Sequence, residues 1–517
     1  MQWDIERSKE RLQQERARIE KVGLTISRLT REMDLSNLSP TDARIVHGTH
    51  LYCHISNFGE VLDSPLMRQD DFKRLHRLLH VLRIEQRYAL QQIFGGDKIQ
   101  VQGPKFHGLI YRPYDDDPAL AWKAVLAALA LNLIVRDAIP IVWPDYPLLQ
   151  AATGIDLGDC LVANIGAKGN RELISVGSAA NYAAKILEGN DAIAVGPKLW
   201  SNLSQDRQEL FFQVGNSYVL DESAIEDPED AIRQDSYEWT IQGAADRMQE
   251  TVSNLPLKEI DSSEARVRID FSLLGPKTMK TCSGAALFVD VDQYSATIDA
   301  LLEDEDRLGN AVQWLHLFRY EMQHLTADRD AAAIQHQGDR LQALSHLPYD
   351  DDGKAMRAAI ELCIDCNSSV EEVLNVEHPI LGPLHVSIGA SFGTTVAVRS
   401  GVRGDLDSSC LSKTISEAEH WQMRGTGGEI AISLKMYDAI EDEVIRDQFV
   451  LDEDKSCYVA NNLTWTKIAD IRRSRQYTSK APVAFNKQTS SIVFGMSARG
   501  SEDNIRLKQT RNWGIDE

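Results

Sequence analysis

Two stretches of this 517-residue sequence repeat each other. Pro113-Tyr114-Asp115-Asp116-Asp117 returns as Pro348-Tyr349-Asp350-Asp351-Asp352, 235 residues later. The same offset carries Gly103 to Gly338, and Gly154 and Gly158 of GIDLG to Gly389 and Gly393 of GASFG. Upstream, LYCHISNF at 51–58 matches LFVDVDQY at 287–294 with an offset of 236, so a single gap completes the alignment. A long fixed period means that one structural unit occurs twice, and this has to be recognised before any fold is assigned. Each copy reads as strand, long helical stretch, strand–turn–strand around a glycine, helix, two strands and helix, which is an α+β pattern. A duplicated scaffold carries no chemistry by itself.

The repeat divides the chain into an N-terminal helical segment (1–42), copy one (43–215), a linker (216–280), copy two (281–460) and a tail (461–517). In the first segment Ile5, Leu12, Ile19, Val22, Ile26 and Leu29 form an apolar stripe near helical spacing, so a helix that packs on the body is predicted. The acidic linker has no sustained period and reads as connecting sequence with some local structure. Hydrophobic residues at 43% and charged residues at 26% describe a globular chain. With 55 basic against 77 acidic residues the net charge is −22, which repels a nucleic-acid backbone.

Seven scattered cysteines suit a reducing cytoplasm better than a secreted disulfide framework. The lone C-x-x-C of Cys363 and Cys366 lacks a second pair at zinc-site spacing and reads as core. The charged N-terminus has no signal-peptide pattern. The apolar run Ala124–Val135 is shorter than the roughly 20 residues of a membrane span and reads as a buried helix.

Acidic residues in copy two point to metal chemistry. Asp290 lies inside the apolar strand LFVDV, and Asp339 follows Gly338 in a turn. A carboxylate in an apolar strand is costly unless it is paired or metal-bound. From residue types alone, a metal site, a buried ion pair and a misplaced strand all stay open.

The motifs make the reading more specific. FVDVDQY at 288–294, QGDR at 337–340, GIDLGDCLVANIG at 154–166 and VGSAANYAAK at 176–185 resemble the catalytic domain of class III adenylyl and guanylyl cyclases. The resemblance covers roughly 43–215 and 280–460. It implies two ferredoxin-like domains paired head to tail, here as an intramolecular pseudo-dimer, with active sites at the interface. Each site takes two Mg²⁺ or Mn²⁺ ions from one domain, and Asn, Arg and base-reading residues from the other.

On that pattern each copy is fit for one job. Copy one has His54 and Pro104 at the metal positions, whereas copy two has Ser416 and His420 at the Asn and Arg positions. One complementary site remains: Asp290, Val291 and Asp339 for metal, with Asn181 to orient the ribose and Lys185 to stabilise phosphoryl charge. Lys185 departs from the family's Arg and offers a point charge in place of a planar fork. No cation for the triphosphate is assigned.

By resemblance the base is read at Gln100 and Ile174, where neither the Lys/Asp pair of adenylyl cyclases nor the Glu/Cys pair of guanylyl cyclases stands. A Gln amide can both donate to and accept from a pyrimidine edge. The pattern is similar to the pyrimidine cyclases of bacterial Pycsar antiphage systems. It implies a cytoplasmic enzyme that makes cyclic CMP or cyclic UMP from CTP or UTP, for a separate effector. An adenylate cyclase with a divergent pocket and an inactive nucleotide-sensing module stay open, as does oligomerisation beyond the internal pairing. A diguanylate-cyclase reading of Gly95-Gly96-Asp97 lacks its partner carboxylates.

Overall fold

The computed structural model describes residues 3–35, 38–39, 41–63, 71–165, 172–187, 192–379 and 382–479. Residues 1–471 form one compact unit, and the tail from 480 onward lies outside the described residues. Copy one supplies strands β1 (Thr25–Arg28), β2 (Asp42–Ile55), β3 (Asp97–Gln102), β4 (Lys105–Ile110), β5 (Ala151–Ile165), β6 (Glu172–Val176), β7 (Ile193–Val195), β8 (Phe211–Val214) and β9 (Ser217–Leu220). Copy two repeats them as β10 (Asp261–Glu264), β11 (Thr278–Val291), β12 (Ala332–Gln337), β13 (Arg340–Ser345), β14 (Val386–Val402), β15 (Asp405–Leu411), β16 (Glu429–Ile432), β17 (Val450–Asp452) and β18 (Cys457–Asn461).

The first sheet runs β3-β4-β2-β5-β7-β9-β8 and the second β12-β13-β11-β14-β16-β18-β17, so the two have the same order. In each, a short parallel strand (β1 or β10) flanks the long strand, and β6 or β15 pairs antiparallel with the far end of β5 or β14. Each sheet therefore begins upstream of residues 43 and 281, and the first extends through Leu220.

The helices that matter are α1 (Ile5–Val22), α2 (Asp71–Tyr88), α3 (Asp117–Leu133), α4 (Ser178–Lys185), α5 (Ile241–Asn254), α6 (Tyr294–Leu301), α7 (Glu305–Asp328), α8 (Asp352–Ser369) and α9 (Lys413–Met423). The predicted N-terminal helix is α1, capped by the Asp4 carboxylate and burying Ser8, Leu12, Glu15 and Ile19 on one face. It is shorter than the apolar stripe suggested. Gly23 adopts φ +82°, which glycine tolerates without a Cβ clash, and Ile26 then lies in β1. The linker is more ordered than its sequence suggested, because Thr240 caps α5 and Ala244, Ala245 and Met248 pack into the core of copy one. The stretch Asp117–Val142 is long and apolar enough to cross a membrane, yet 72% of its apolar window is buried inside the protein. Cys363 and Cys366 are buried on α8.

The first glycine of each GIDLG-type motif lets a helix sit directly on the strand. A Cβ at Gly154 would overlap the Ala183 carbonyl oxygen of α4, and one at Gly389 would overlap the Ala418 carbonyl oxygen of α9.

The two copies interpenetrate. Ala43, Ile45, Leu161, Ala163, Ile174 and Val176 belong to the same buried cluster as Trp314 and Phe318 of α7 in copy two. Reciprocally, Met279, Val396, Val398 and Leu411 lie in the core of copy one with Leu75, Leu79 and Leu82 of α2. Burying those four reciprocal side chains is worth on the order of 6–12 kcal/mol as an upper bound, comparable to the stability of a whole domain. The copies form one folding unit.

Buried arginines cross the same interface. Arg319 Nη2 donates to Glu172 Oε2 at 2.6 Å, and Glu172 also accepts the His336 amide at 3.0 Å. Its counterpart Arg83 donates to Ser409 Oγ at 2.8 Å and the Gly103 carbonyl at 3.0 Å. Removing one partner of a buried pair strands the other charge, at a cost of about 3–5 kcal/mol. Arg319→Met should therefore lower unfolding stability by about that amount in urea titrations, and Glu172→Gln added to it should recover part of the loss.

Candidate active site

A cavity of about 420 Å³ opens between the copies. Copy two contributes Asp290 at the end of β11 and Asp339 in the β12–β13 turn, where Gly338 takes φ +66°. Copy one contributes Asn181 and Lys185, one turn apart on the exposed face of α4. Asp290, Val291, Asp339, Asn181, Lys185 and Gln100 all line this cavity. Ile174 does not.

The two carboxylates sit in an environment that disfavours their charge. Burial pushes Asp290 up to about 6, against the pull of Arg340, of the Gln422 amide donating to its Oδ2 at 3.1 Å, and of Lys185 from the other copy. Burial and the neighbouring Asp290 raise Asp339 well above the ordinary range. Two like charges held together are relieved by a divalent cation. Among the described residues no group of three or more His, Cys, Asp or Glu gathers as a self-sufficient metal centre. A carboxylate pair with open positions suits Mg²⁺, which completes its shell with water and substrate phosphates.

Residues beyond the sequence reading complete the electrostatics. Arg340, opposite Asp290 in the β11–β13 ladder, donates to Glu419 Oε1 at 3.0 Å and to Gln337 Oε1 at 2.9 Å. Lys105 of copy one reaches the same Glu419 oxygen at 3.1 Å. Burial alone would raise Glu419, but Lys105 and Arg340 together hold it down at about 2. The repeat could have revealed this cluster, because Lys105 and Arg340 are equivalent at the 235-residue offset.

The base-reading expectation needs correction at Ile174. That side chain is fully buried in the cluster shared between copies, and its strand neighbour Ser175 lines the cavity instead. Side chains alternate along a strand, so a shift of one residue changes the face. Gln100 is in place but already engaged: its Nε2 donates to the His336 carbonyl at 2.5 Å, while its repeat mate Gln335 donates to the Val101 carbonyl at 3.0 Å. This reciprocal pair ties the two hairpins together and takes part of the amide's donor capacity. Tyr52, stacked on His107 at 4.0 Å, supplies an aromatic wall. Behind it His107 meets His50 at 3.1 Å, and His50 lies 3.5 Å from the Ser175 hydroxyl. Burial holds His50 down at about 3, so this relay is neutral at ordinary pH.

The chain is 26% identical over 456 residues to a uridylate cyclase from Pseudomonas aeruginosa, covering 84% of this chain and 86% of that protein. It is 23% identical over 429 residues to a uridylate cyclase from a Rhizobium species, covering 77% and 79%. Its structure matches the crystal structure of a class III adenylyl cyclase-like ATP-binding protein from Pseudomonas aeruginosa, with a TM-score of 0.75, 22% identity and coverage of 91% of this chain and 99% of that one. The chain has a duplicated class III cyclase fold. No protein-family model matches it.

In a duplicated cyclase fold the pseudo-twofold axis generates a second pocket, here about 260 Å³ and lined by His54, Pro104, Ser416 and His420. His54 takes the place of Asp290, and burial holds it down at about 3, as a neutral imidazole. The acid on this wall is Glu419, committed to Lys105 and Arg340.

The acid pair of the larger cavity couples stability to pH. The folded proton affinities of Asp290 and Asp339 exceed those of an unfolded chain, so the folded state holds extra protons there; the contribution of Asp290 to stability falls as pH rises from about 4 through about 6, and Asp339 adds a loss of the same sign. Without metal at pH 7, Asp339→Asn should raise stability by about 1–2 kcal/mol, flatten that pH dependence and abolish stabilisation by added Mn²⁺. Thermal unfolding with and without Mn²⁺ across pH 4–8 measures all three.

Proposed function

We propose that the chain cyclises a pyrimidine nucleoside triphosphate to its 3′,5′-cyclic monophosphate and pyrophosphate, as a second messenger read by a separate effector in bacterial antiphage defence. The observation that carries this reading is the division of one cavity: an acid pair from copy two faces Asn181 and Lys185 of copy one, while the mirrored cavity holds neither set. UTP is the first candidate, because both similar proteins are uridylate cyclases. The seven buried, unpaired cysteines fit a reducing cytoplasm.

In this reading the ribose 3′-oxygen attacks the α-phosphorus in line. The new O–P bond forms as the bond to the bridging oxygen breaks, pyrophosphate leaves with the electron pair, and the hydroxyl proton passes to water. Asp290, Asp339 and the Val291 carbonyl would hold two Mg²⁺ or Mn²⁺ ions, which lower the proton affinity of the attacking hydroxyl and neutralise phosphate charge. Asn181 orients the ribose, and Lys185 places positive charge beside the α-phosphoryl group where negative charge builds. The Tyr52 face provides a stacking wall, and Ser175 with the remaining polar capacity of Gln100 reads the base edge.

The test is incubation of the purified chain with each of the four ribonucleoside triphosphates and Mn²⁺ or Mg²⁺, with products identified by mass. Cyclic UMP or cyclic CMP should dominate. Asp290→Ala should abolish turnover, and Lys185→Ala should cut it by roughly 10²–10³-fold with the fold retained. A main product of cyclic AMP would instead favour an adenylate cyclase with a divergent pocket, and nucleotide binding without any cyclic product would favour a sensing module.

A further inference from the structure

The helix that carries Asn181 and Lys185 cannot cap itself. Its N-cap residue is Gly177, which has no side chain to accept the first amides. A side chain there is excluded, since φ is +154° and a Cβ would lie 2.8 Å from Cys160 Sγ and 3.1 Å from Cys160 Cα. The equivalent position in copy two, at the 235-residue offset, is Ser412, whose hydroxyl accepts the Ile415 amide and caps α9 from within. The helix on the cyclising side lacks this device, and the helix on the vestigial side has it.

The missing acceptor comes from the other copy. The Ser178 amide, first in α4, donates to Asp299 Oδ1 at 2.9 Å. Asp299 lies on α6, which begins at Tyr294, three residues after Val291 ends the metal-bearing strand. A carboxylate at a helix N-terminus also faces the positive end of the helix dipole. With only eight residues, α4 is too short to hold its shape without outside support.

We infer that Asp299 is a positioning residue that caps α4 across the interface, and so locks the Asn181–Lys185 half of the site to the Asp290–Asp339 half. This rests on the cyclase reading for its effect on turnover, but not for the cap itself. Asp299 is half-buried, and truncating it removes little packing. Losing the cap lets the first turn of α4, which carries Asn181, open and loosens the Asn181 hold on the ribose, where small displacements cost rate more than binding.

The experiment compares Asp299→Ala with Asp299→Asn in the full chain, since Asn caps as well as Asp does. Hydrogen exchange over residues 178–185 should be roughly 3–30-fold faster in Asp299→Ala and near wild type in Asp299→Asn. With UTP and Mn²⁺, kcat should fall about tenfold in Asp299→Ala while KM moves less than about threefold, and Asp299→Asn should recover most of the loss. Unchanged exchange in Asp299→Ala overturns the cap. Faster exchange with unchanged kcat overturns the positioning role. If wild type makes no cyclic nucleotide yet exchange responds as expected, the cap stands and the cyclase reading fails.

Discussion

Each sheet buries the far end of its long strands in the core of the other copy, and every functional distance in the molecule depends on that exchange. Because Ala43, Leu161 and Val176 share one buried cluster with Trp314 and Phe318 of α7 while Met279, Val396 and Leu411 share another with Leu75, Leu79 and Leu82 of α2, neither copy can slide without exposing apolar surface of its own. The reciprocal Gln100 and Gln335 bonds then fix the two hairpins in register. A catalytic site split between two domains ordinarily depends on their association. Here the covalent linker and the shared core make association part of folding.

Near the pseudo-twofold axis, symmetry in sequence gives way to asymmetry in charge. Lys105 and Arg340 are repeat equivalents, and both converge on Glu419, whose own equivalent is Ala184. One carboxylate thus absorbs two cations and lines both the larger cavity and its mirror. It also draws Arg340 toward α9, while Arg340 still tempers the charge of Asp290.

Much of this was legible in the sequence because it depends on spacing. The repeat follows from the offset, the acid pair and the Asn181–Lys185 turn were picked out by the resemblance to cyclase motifs, and the structure brings those residues to one cavity. Ile174 was misread because alignment with a motif fixes position along a strand but not which face is wetted, and the far end of β6 is buried by the other copy. Gln100 lines the cavity, yet its bond to the His336 carbonyl crosses between copies, and no local pattern encodes a contact between residues so far apart in the chain. The stripe running to Leu29 was over-extended for a simpler reason: periodicity passes through Gly23 unaltered, while the backbone does not.

On the proposed reading, asymmetry between the copies lets each serve a different half of one site. In a symmetric pair every helix of the α4 type must serve a competent site, and every β11-type strand must tolerate a buried acid. With His54 and Pro104 in place of acids, the sheet of copy one does not carry the like-charge repulsion that Asp290 and Asp339 impose on copy two. Copy two has Ser416 and His420 at the Asn and Arg positions, with Ser412 as a self-cap and Glu419 as the shared anion on α9. The strained elements are thereby concentrated at one cavity: a repelling acid pair, an uncapped glycine and a short helix, each answered by a group from elsewhere. Local rules broken together at one place, and kept at its mirror image, are the pattern expected of a functional site, and they support the proposed assignment of this cavity.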